Sequence, residues 1–442
     1  EGGEIGRAQA LQAMACGVAP SVHMNPVLLK PQGNMTSQVI IQGRVEKTTD
    51  YTWFRNHKTA IFDKVLESFT LLKNDADIVI VEGAGSPAEV NLRTHDIANM
   101  GFALATQTPV ILAGDIDRGG VIASLVGTHA LLPKEEQALI KGFLINKFRG
   151  EVSLFTPALS IIEERTGWKN MGVLPYLSSV KKLPAEDAVV LDHATHPKKA
   201  DIKIIVPRLP HIANFDDVDP LAQEPDVHIR YCQAGEPLDL DADLILIPGS
   251  KNTIADLTFF KEQGWDIDLA AHVRRGGKVI GICAGYQMLG QAIHDPLGLE
   301  GTAQSIQGLG HLEIETRMAP QKTLSLTHGY SPALNCATTG YEIHMGETDI
   351  KSDQDTFMQN REGQPLGVQS KNGQIAGTYL HGLFNDDSFR RRYLAQFKEN
   401  RSHLTQYTHT VSTALDQLAH EIDTYLDTAA LIDIMDACTS HK

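Results

Sequence analysis

Gly281-Ile282-Cys283-Ala284-Gly285-Tyr286-Gln287 follows the apolar run Lys278-Val279-Ile280 and opens into Met288-Leu289-Gly290. The order apolar run, glycine-flanked turn, then helix start reads as a strand feeding a helix with a cysteine at the turn. Gly281 and Gly285 permit the tight turn and the close packing of helix on sheet. A thiol attacks an amide as its thiolate, a form that a helix N-terminus and a nearby histidine both favour. Cys283 is therefore the candidate nucleophile. A lone cysteine would instead read as a small buried hydrophobe, but this one has company. Pro248-Gly249-Ser250 directly follows the apolar run at 244–247. The N–H groups of Gly249 and Ala284 are the expected oxyanion donors. The base is sought at another strand end. His381, in Gly377-Thr378-Tyr379-Leu380-His381-Gly382, is preferred; His344, in Gly340-Tyr341-Glu342-Ile343-His344-Met345-Gly346, is the rival.

Working outward, expected strands at 202–206, 244–247, 279–282 and 375–380 form one α/β series. The first half forms another. Asp77-Ile78-Val79-Ile80-Val81-Glu82 and the runs 109–115, 142–146 and 171–174 are largely apolar along their length, as strands buried on both faces are. Helical stretches at 63–73 and 121–132 lie between them, giving a βαβ order and a parallel sheet. Residues 181–200, rich in Lys, Pro, Ala, Asp and His, read as a linker, and from about 412 onward a helical tail is expected.

The 442 residues allow two or three domains. A composition of 42% hydrophobic and 21% charged is that of a globular protein. A net charge of −15 without a basic run argues against nucleic acid or an anionic membrane as partner. Residues 97–114 lack charges, but Asn99, Gly101, Gln107 and Pro109 make them a helix and a buried strand rather than a membrane span. Five cysteines without a C-x-x-C pair argue for a reducing, cytoplasmic setting. The chain begins with Glu1 in mid-pattern, and an incomplete N-terminus is expected.

Three polar loops follow strands of the first half: Glu82-Gly83-Ala84-Gly85-Ser86, Asp115-Ile116-Asp117-Arg118-Gly119-Gly120, and Asn146-Lys147-Phe148-Arg149-Gly150. Open α/β sheets bind ligands at the carboxyl ends of their strands. Glu82 at such an end suits a Mg²⁺ beside nucleotide phosphates; a plain strand-end acid is the other reading. Asp96 and Arg93 are placed towards substrate, with a helix cap as the equal alternative for Asp96. Arg118, Lys147 and Arg149 are assigned to phosphate or carboxylate charge, against solvated surface cations. No G-x-x-x-x-G-K-[ST] loop is present.

The cysteine motif resembles the nucleophile elbow of class I glutamine amidotransferases. Most of these carry His-x-Glu, whereas His381-Gly382-Leu383 has leucine there, as in the cobyrinate-type branch; what orients His381 stays open. The resemblance to that branch extends over nearly the whole chain, through Gly2 to Gln9, Met24 to Pro31, Glu82 to Glu89, Asp96 to Gly101, Asp115 to Gly120, Ile145 to Gly150, Pro248 to Thr253 and Gly340 to Gly346. It implies an α/β fold in two parts. Residues 1–180 would be a P-loop-type, dethiobiotin-synthetase-like ATP domain lacking its first strand and phosphate loop. After a linker at 181–200, residues 201–400 would be the glutaminase domain and 401–442 a helical tail. It implies an enzyme that amidates carboxylates b, d, e and g of adenosylcobyrinic acid a,c-diamide, using one ATP, with Mg²⁺, and one glutamine each time, and no tightly bound organic cofactor. By analogy with the related synthetases, Asn146 would contact adenine. With no phosphate loop, the glutaminase half is the part expected to work. The alternatives are an enzyme amidating carboxylates a and c of cobyrinic acid, a partition-type ATPase, and a non-catalytic descendant.

Overall fold

The computed structural model describes residues 2–31, 37–49, 51–93, 96–185, 200–351, 354–399, 401 and 405–439. Most of the expected linker, 186–199, lies outside them. The chain divides into two compact units, one of residues 184–410 with 1–3 and 31–35, the other of residues 4–30, 36–183 and 411–442.

In the unit of residues 184–410, five parallel strands run in the order Ile375–Thr378, Lys278–Ile282, Leu244–Ile247, Ile202–Pro207, Val227–Cys232. Their alternating side chains enter two different cores. Ile245 and Ile247 pack with helices Thr253–Glu262, Trp265–Arg274 and Ala284–Met288. Leu244 and Leu246 pack on the opposite face with helix Asp387–Leu394. A strand buried on both faces needs apolar residues at every position, which is why these runs do not alternate in sequence. The sheet continues through antiparallel Pro365–Gln369 and Asp355–Gln359 into a long hairpin, Ile314–Ser331 against Cys336–Ile350. The expected single strand at 375–380 divides at Tyr379. Its second piece, Leu380–His381, leaves the parallel sheet and pairs with Tyr341 and Glu342 of the hairpin.

In the other unit, Val110–Asp115, Ile140–Phe148 and Lys169–Pro175 form a parallel sheet, preceded by a three-stranded sheet of Val27–Pro31, Ser37–Ile41 and Arg44–Thr49. The tail is two helices, Tyr407–Tyr425 and Thr428–Thr439. Their junction docks on the edge strand: Asp427 N–H donates to the Met171 carbonyl at 2.8 Å, and Gly172 bridges to Leu426. That covers backbone groups an edge strand would otherwise present unpaired.

One expectation fails here. Residues 77–82 form no strand. Ile80 is 91% exposed and Ile78 57%. A run apolar on both faces is stable as a strand only where neighbours supply hydrogen bonds and cover, and among the described residues no strand pairs with this one.

Candidate active site

Cys283 sits between strand Lys278–Ile282 and helix Ala284–Met288 with φ 54° and ψ −107°. A side-chain-bearing residue is rarely found there, and holding it costs about 1–3 kcal/mol. The turn is over-determined on both sides: Cys283 N–H donates to the Thr378 carbonyl at 2.8 Å, and its carbonyl accepts from Gln287 N–H at 3.1 Å. The flanking glycines are required by contact. A Cβ on Gly285 would lie 2.1 Å from the Ile247 carbonyl oxygen, and one on Gly281 would lie 2.5 Å from the Gly285 carbonyl carbon. The helix thus rests directly on the sheet, with the Ala284 N–H at its first turn, where backbone donors have no helical acceptor.

The turn at Tyr379 brings His381 to the thiol. His381 is 1% exposed, close enough to Cys283 for the thiol to act on its charge, and stacked on Tyr341 at 5.3 Å between centroids. Its Nδ1–H donates to Asp217 Oδ2 at 2.7 Å, and the other oxygen of Asp217 accepts from Gly382 N–H, also at 2.7 Å. Burial works against charge on this imidazole. The Asp217 and Cys283 charges and the hydrogen bond to Asp217 outweigh it, and the imidazolium persists well above the usual histidine range.

Gly249 lies against the same histidine: a Cβ there would be 3.2 Å from His381 Cε1 and 3.1 Å from the Ala213 carbonyl. Gly249–Ser250 pairs with Ile212–Ala213, and buried Asp256 fastens this pairing. It accepts from Ser250 Oγ at 2.6 Å and from His211 Nδ1 at 2.7 Å.

His344, the rival base, is placed otherwise. Its Nδ1 hydrogen-bonds the Gly346 carbonyl at 3.1 Å, its ring stacks on Tyr379, and its Nε2 lies 3.6 Å from Glu342. It walls the site, and the thiol lies 3.5 Å from the neighbouring Ile343 carbonyl. Burial pushes the Tyr379 phenol up to about 12, so it stays a neutral donor, held between Thr348 and Gln287.

In the other unit the strand ends bring part of the expected set together. Asp115 and Asn146 are register partners. Lys147 pairs with Asp115 at 2.8 Å and Arg149 with Asp117 at 3.2 Å; Arg149 also covers the Tyr176 ring at 4.1 Å. The Asp115 carboxyl is held below its usual range, mainly by the hydrogen bond from Lys147. Asn146 Oδ1 accepts from Lys147 N–H. Arg118 closes the 3-10 turn Ile116–Arg118 beside Asp115.

Glu82 does not end a strand; it is exposed, and its carboxylate accepts from the Gln12 amide at 3.0 Å. Asp96 is occupied by backbone. Its oxygens accept from Ala98, Asn99 and Gly101 N–H groups at 3.0 Å, so it caps helix Met100–Thr106. These bonds are the geometry of the helix-cap reading of Asp96. Arg93 is ion-paired with buried Glu136.

A thiol on a strained elbow, facing a buried histidine, defines the chemistry of a glutamine amidotransferase. Residues 203–389 match the CobB/CobQ-like glutamine amidotransferase domain, and residues 45–183 match an AAA domain. Cobyric acid synthases of Allorhizobium ampelinum and Rhizobium meliloti are each 52% identical over 98% of this chain and 89% of the relative. That of Methylorubrum populi is 50% identical over 98% and 88%. Among solved structures, PurLQS from Thermotoga maritima matches 49% of this chain and 99% of its own at 14% identity and TM-score 0.33. The chain belongs to the cobyric acid synthase family, an enzyme family that joins a glutamine amidotransferase domain to an ATP-binding one.

Proposed function

We propose that the unit of residues 184–410 releases ammonia from glutamine at Cys283, and that the ATP-binding unit joins that ammonia to corrinoid carboxylates. The substrate is adenosylcobyrinic acid a,c-diamide, amidated at b, d, e and g. The observation that carries the glutaminase reading is the elbow cysteine beside a buried histidine that is itself held by the Asp217 carboxylate. The S–H proton passes first to His381 Nε2, and the sulfur then bonds the carboxamide carbon as the carbonyl electron pair moves to oxygen. The N–H groups of Ala284 and Gly249 receive that oxyanion. The C–N bond then breaks, His381 returns its proton to nitrogen, and ammonia leaves. Water attacks the thioester with its proton going to His381, glutamate is released and the thiol reforms.

At the ATP-using unit a carboxylate oxygen takes the γ-phosphoryl group of ATP and ADP leaves, giving an acyl phosphate, since a free carboxylate is a poor acyl donor. Ammonia attacks the acyl carbon and phosphate leaves. Glu82 would hold Mg²⁺ on the ATP phosphates. The donor fits a cation that keeps most of its waters, because it is an exposed carboxylate engaged by a neutral amide. Lys147 and Arg118, beside Asp115, would take phosphate charge, with Asn146 toward adenine. The domain division proposed is an ATP domain up to about residue 180 and a glutaminase domain of about 201–400. A cytoplasmic setting accords with free Cys16, Cys232, Cys283 and Cys336. Among the described residues no helix is long and apolar enough to cross a membrane.

The test is amidation of the corrinoid by Cys283→Ala, with glutamine or with ammonium as nitrogen source. Loss with glutamine and retention with ammonium is expected, with products carrying up to four new amides. Glutamine-dependent amidation by that variant would refute the assignment. Turnover of cobyrinic acid itself, in place of its a,c-diamide, would reassign the substrate.

A further inference from the structure

The His-x-Glu pattern of most class I glutamine amidotransferases is broken at Leu383, and the structure supplies what replaces it. Leu383 is fully buried, packed with Cys283, Phe384 and Phe389. A carboxylate there would be an unpaired charge in an apolar core, so the position is closed to the usual role.

Asp217 comes from 164 residues upstream, yet it is 3% exposed and touches His381 at 2.7 Å. The chain brings it there through a left-handed turn at Asn214 and the 3-10 turn Phe215–Val218. Phe215 enters the core on one face of the sheet and Val218 the core on the other, so the carboxylate between them cannot swing away. Asn214 Nδ2 donates to Tyr341 OH at 2.7 Å, and the Tyr341 ring stacks on His381. One segment thus holds the imidazole by its edge and by its face. Just beyond, Glu224 binds Arg390 and Arg401, each at 2.7 Å, and pins the far end of the segment.

We infer that Asp217 is the positioning carboxylate of this site, taking the place of the glutamate that the His-x-Glu pattern would supply. It fixes the Nδ1–H tautomer of His381, so that Nε2 faces the thiol. Through Gly382 N–H it also fixes the backbone on which His381 rides. The inference rests on the reading of Cys283 and His381 as the glutamine-splitting pair. Asp217 reacts with nothing itself; its effect passes through His381.

The experiment is a double-mutant cycle on glutaminase turnover with Asp217→Asn, His381→Ala and the pair. Asparagine offers an amide N–H where the imidazole needs an acceptor. In serine triads the equivalent change costs about 10⁴-fold in kcat. A thiol is the easier nucleophile to ionise, so a loss of roughly 10²–10³-fold is expected here. KM for glutamine should stay within about threefold, since Asp217 faces the histidine. In the His381→Ala background Asp217→Asn should add nothing, because the group it acts through is gone. The His381 limb of the pH–rate profile should move to lower pH, because the imidazolium loses the Asp217 charge beside it. Asp217→Glu should recover part of the rate. Asp217→Asn within threefold of wild type overturns the inference. So does a further fall on top of His381→Ala, which would mark a purely structural role. Wild-type turnover by His381→Ala or Cys283→Ala alone would instead overturn the underlying reading.

Discussion

Gly285→Ala is the sharpest probe of how the elbow is built. The added Cβ would lie 2.1 Å from the Ile247 carbonyl oxygen, 2.7 Å from its carbonyl carbon and 3.0 Å from its Cβ. Ordinary contact begins near 3.4 Å. The helix Ala284–Met288 must therefore lift from the sheet by as much as 1.3 Å, the difference between the two distances. Two of the three obstructing atoms are backbone of a central strand paired on both sides, so the strand cannot yield in their place. Overpacking of this kind costs about 1–3 kcal/mol of stability. The larger consequence is positional. Cys283 and the Ala284 N–H ride on the displaced helix, whereas His381 is held by Asp217 and the hairpin, which do not move with it. A misplacement of about 1 Å between reacting groups costs on the order of 10²-fold in rate. Glutaminase kcat should fall by about that factor at a temperature where circular dichroism shows the variant folded, while ammonium-supported amidation continues. A folded Gly285→Ala enzyme with kcat within threefold of wild type would refute this account of the elbow.

Three further outcomes follow from the same geometry. Glu224→Gln removes the negative charge that buried Arg390 and Arg401 share. Breaking such a pair costs roughly 3–5 kcal/mol, so the thermal midpoint should drop by roughly 6–20 °C; a shift below 2 °C would contradict it. Asp256→Asn removes one acceptor from the Ser250–His211 fastening behind Gly249. Glutaminase kcat should fall about tenfold, as expected when an oxyanion donor is loosened rather than lost, and a fall in KM alone would count against that. For pH, His381 titrates above its ordinary 6.5 in the folded state. The stability it contributes is complete below pH 6.5 and is lost as pH rises through the folded value. Denaturant midpoints of wild type should therefore fall relative to Asp217→Asn as pH is raised from 6 to 9, and parallel curves would show the pair contributes nothing.

Much of the site was legible because its signals are local. Cys283 and its glycines sit within five residues, and the strand before them is apolar along its length. His381 was separable from His344 by a strand leading in and a glycine leading out. What the sequence could not display was pairing over distance. Asp217 lies in Asn214-Phe215-Asp216-Asp217-Val218-Asp219, four polar and two apolar residues with no motif. Only the packing of Phe215 and Val218 into opposite cores selects one acid from three. Residues 77–82 mislead for the converse reason: an apolar run reports a capacity to be buried, and strand formation also needs a partner edge. Asp96 shows the same limit. A carboxylate four residues before a helix caps it or faces outward with one and the same sequence, and the difference lies in where the Ala98, Asn99 and Gly101 N–H groups point.

The leucine at 383 carries the strongest functional consequence. Where the acid follows the histidine by two residues, orientation is built into one short loop. Here it is divided between that loop and the 214–224 segment, and both must be seated before the imidazole has its tautomer. Seating depends on Phe215, Val218 and Leu221 being buried and on Glu224 finding Arg390 and Arg401. Glutamine splitting in this chain is therefore tied to the packing of a largely buried segment that itself touches no substrate. Damage to the Glu224 pairs that leaves Cys283 and His381 untouched should still lower glutaminase turnover, and should lower it through the same His381 limb of the pH profile that Asp217→Asn displaces.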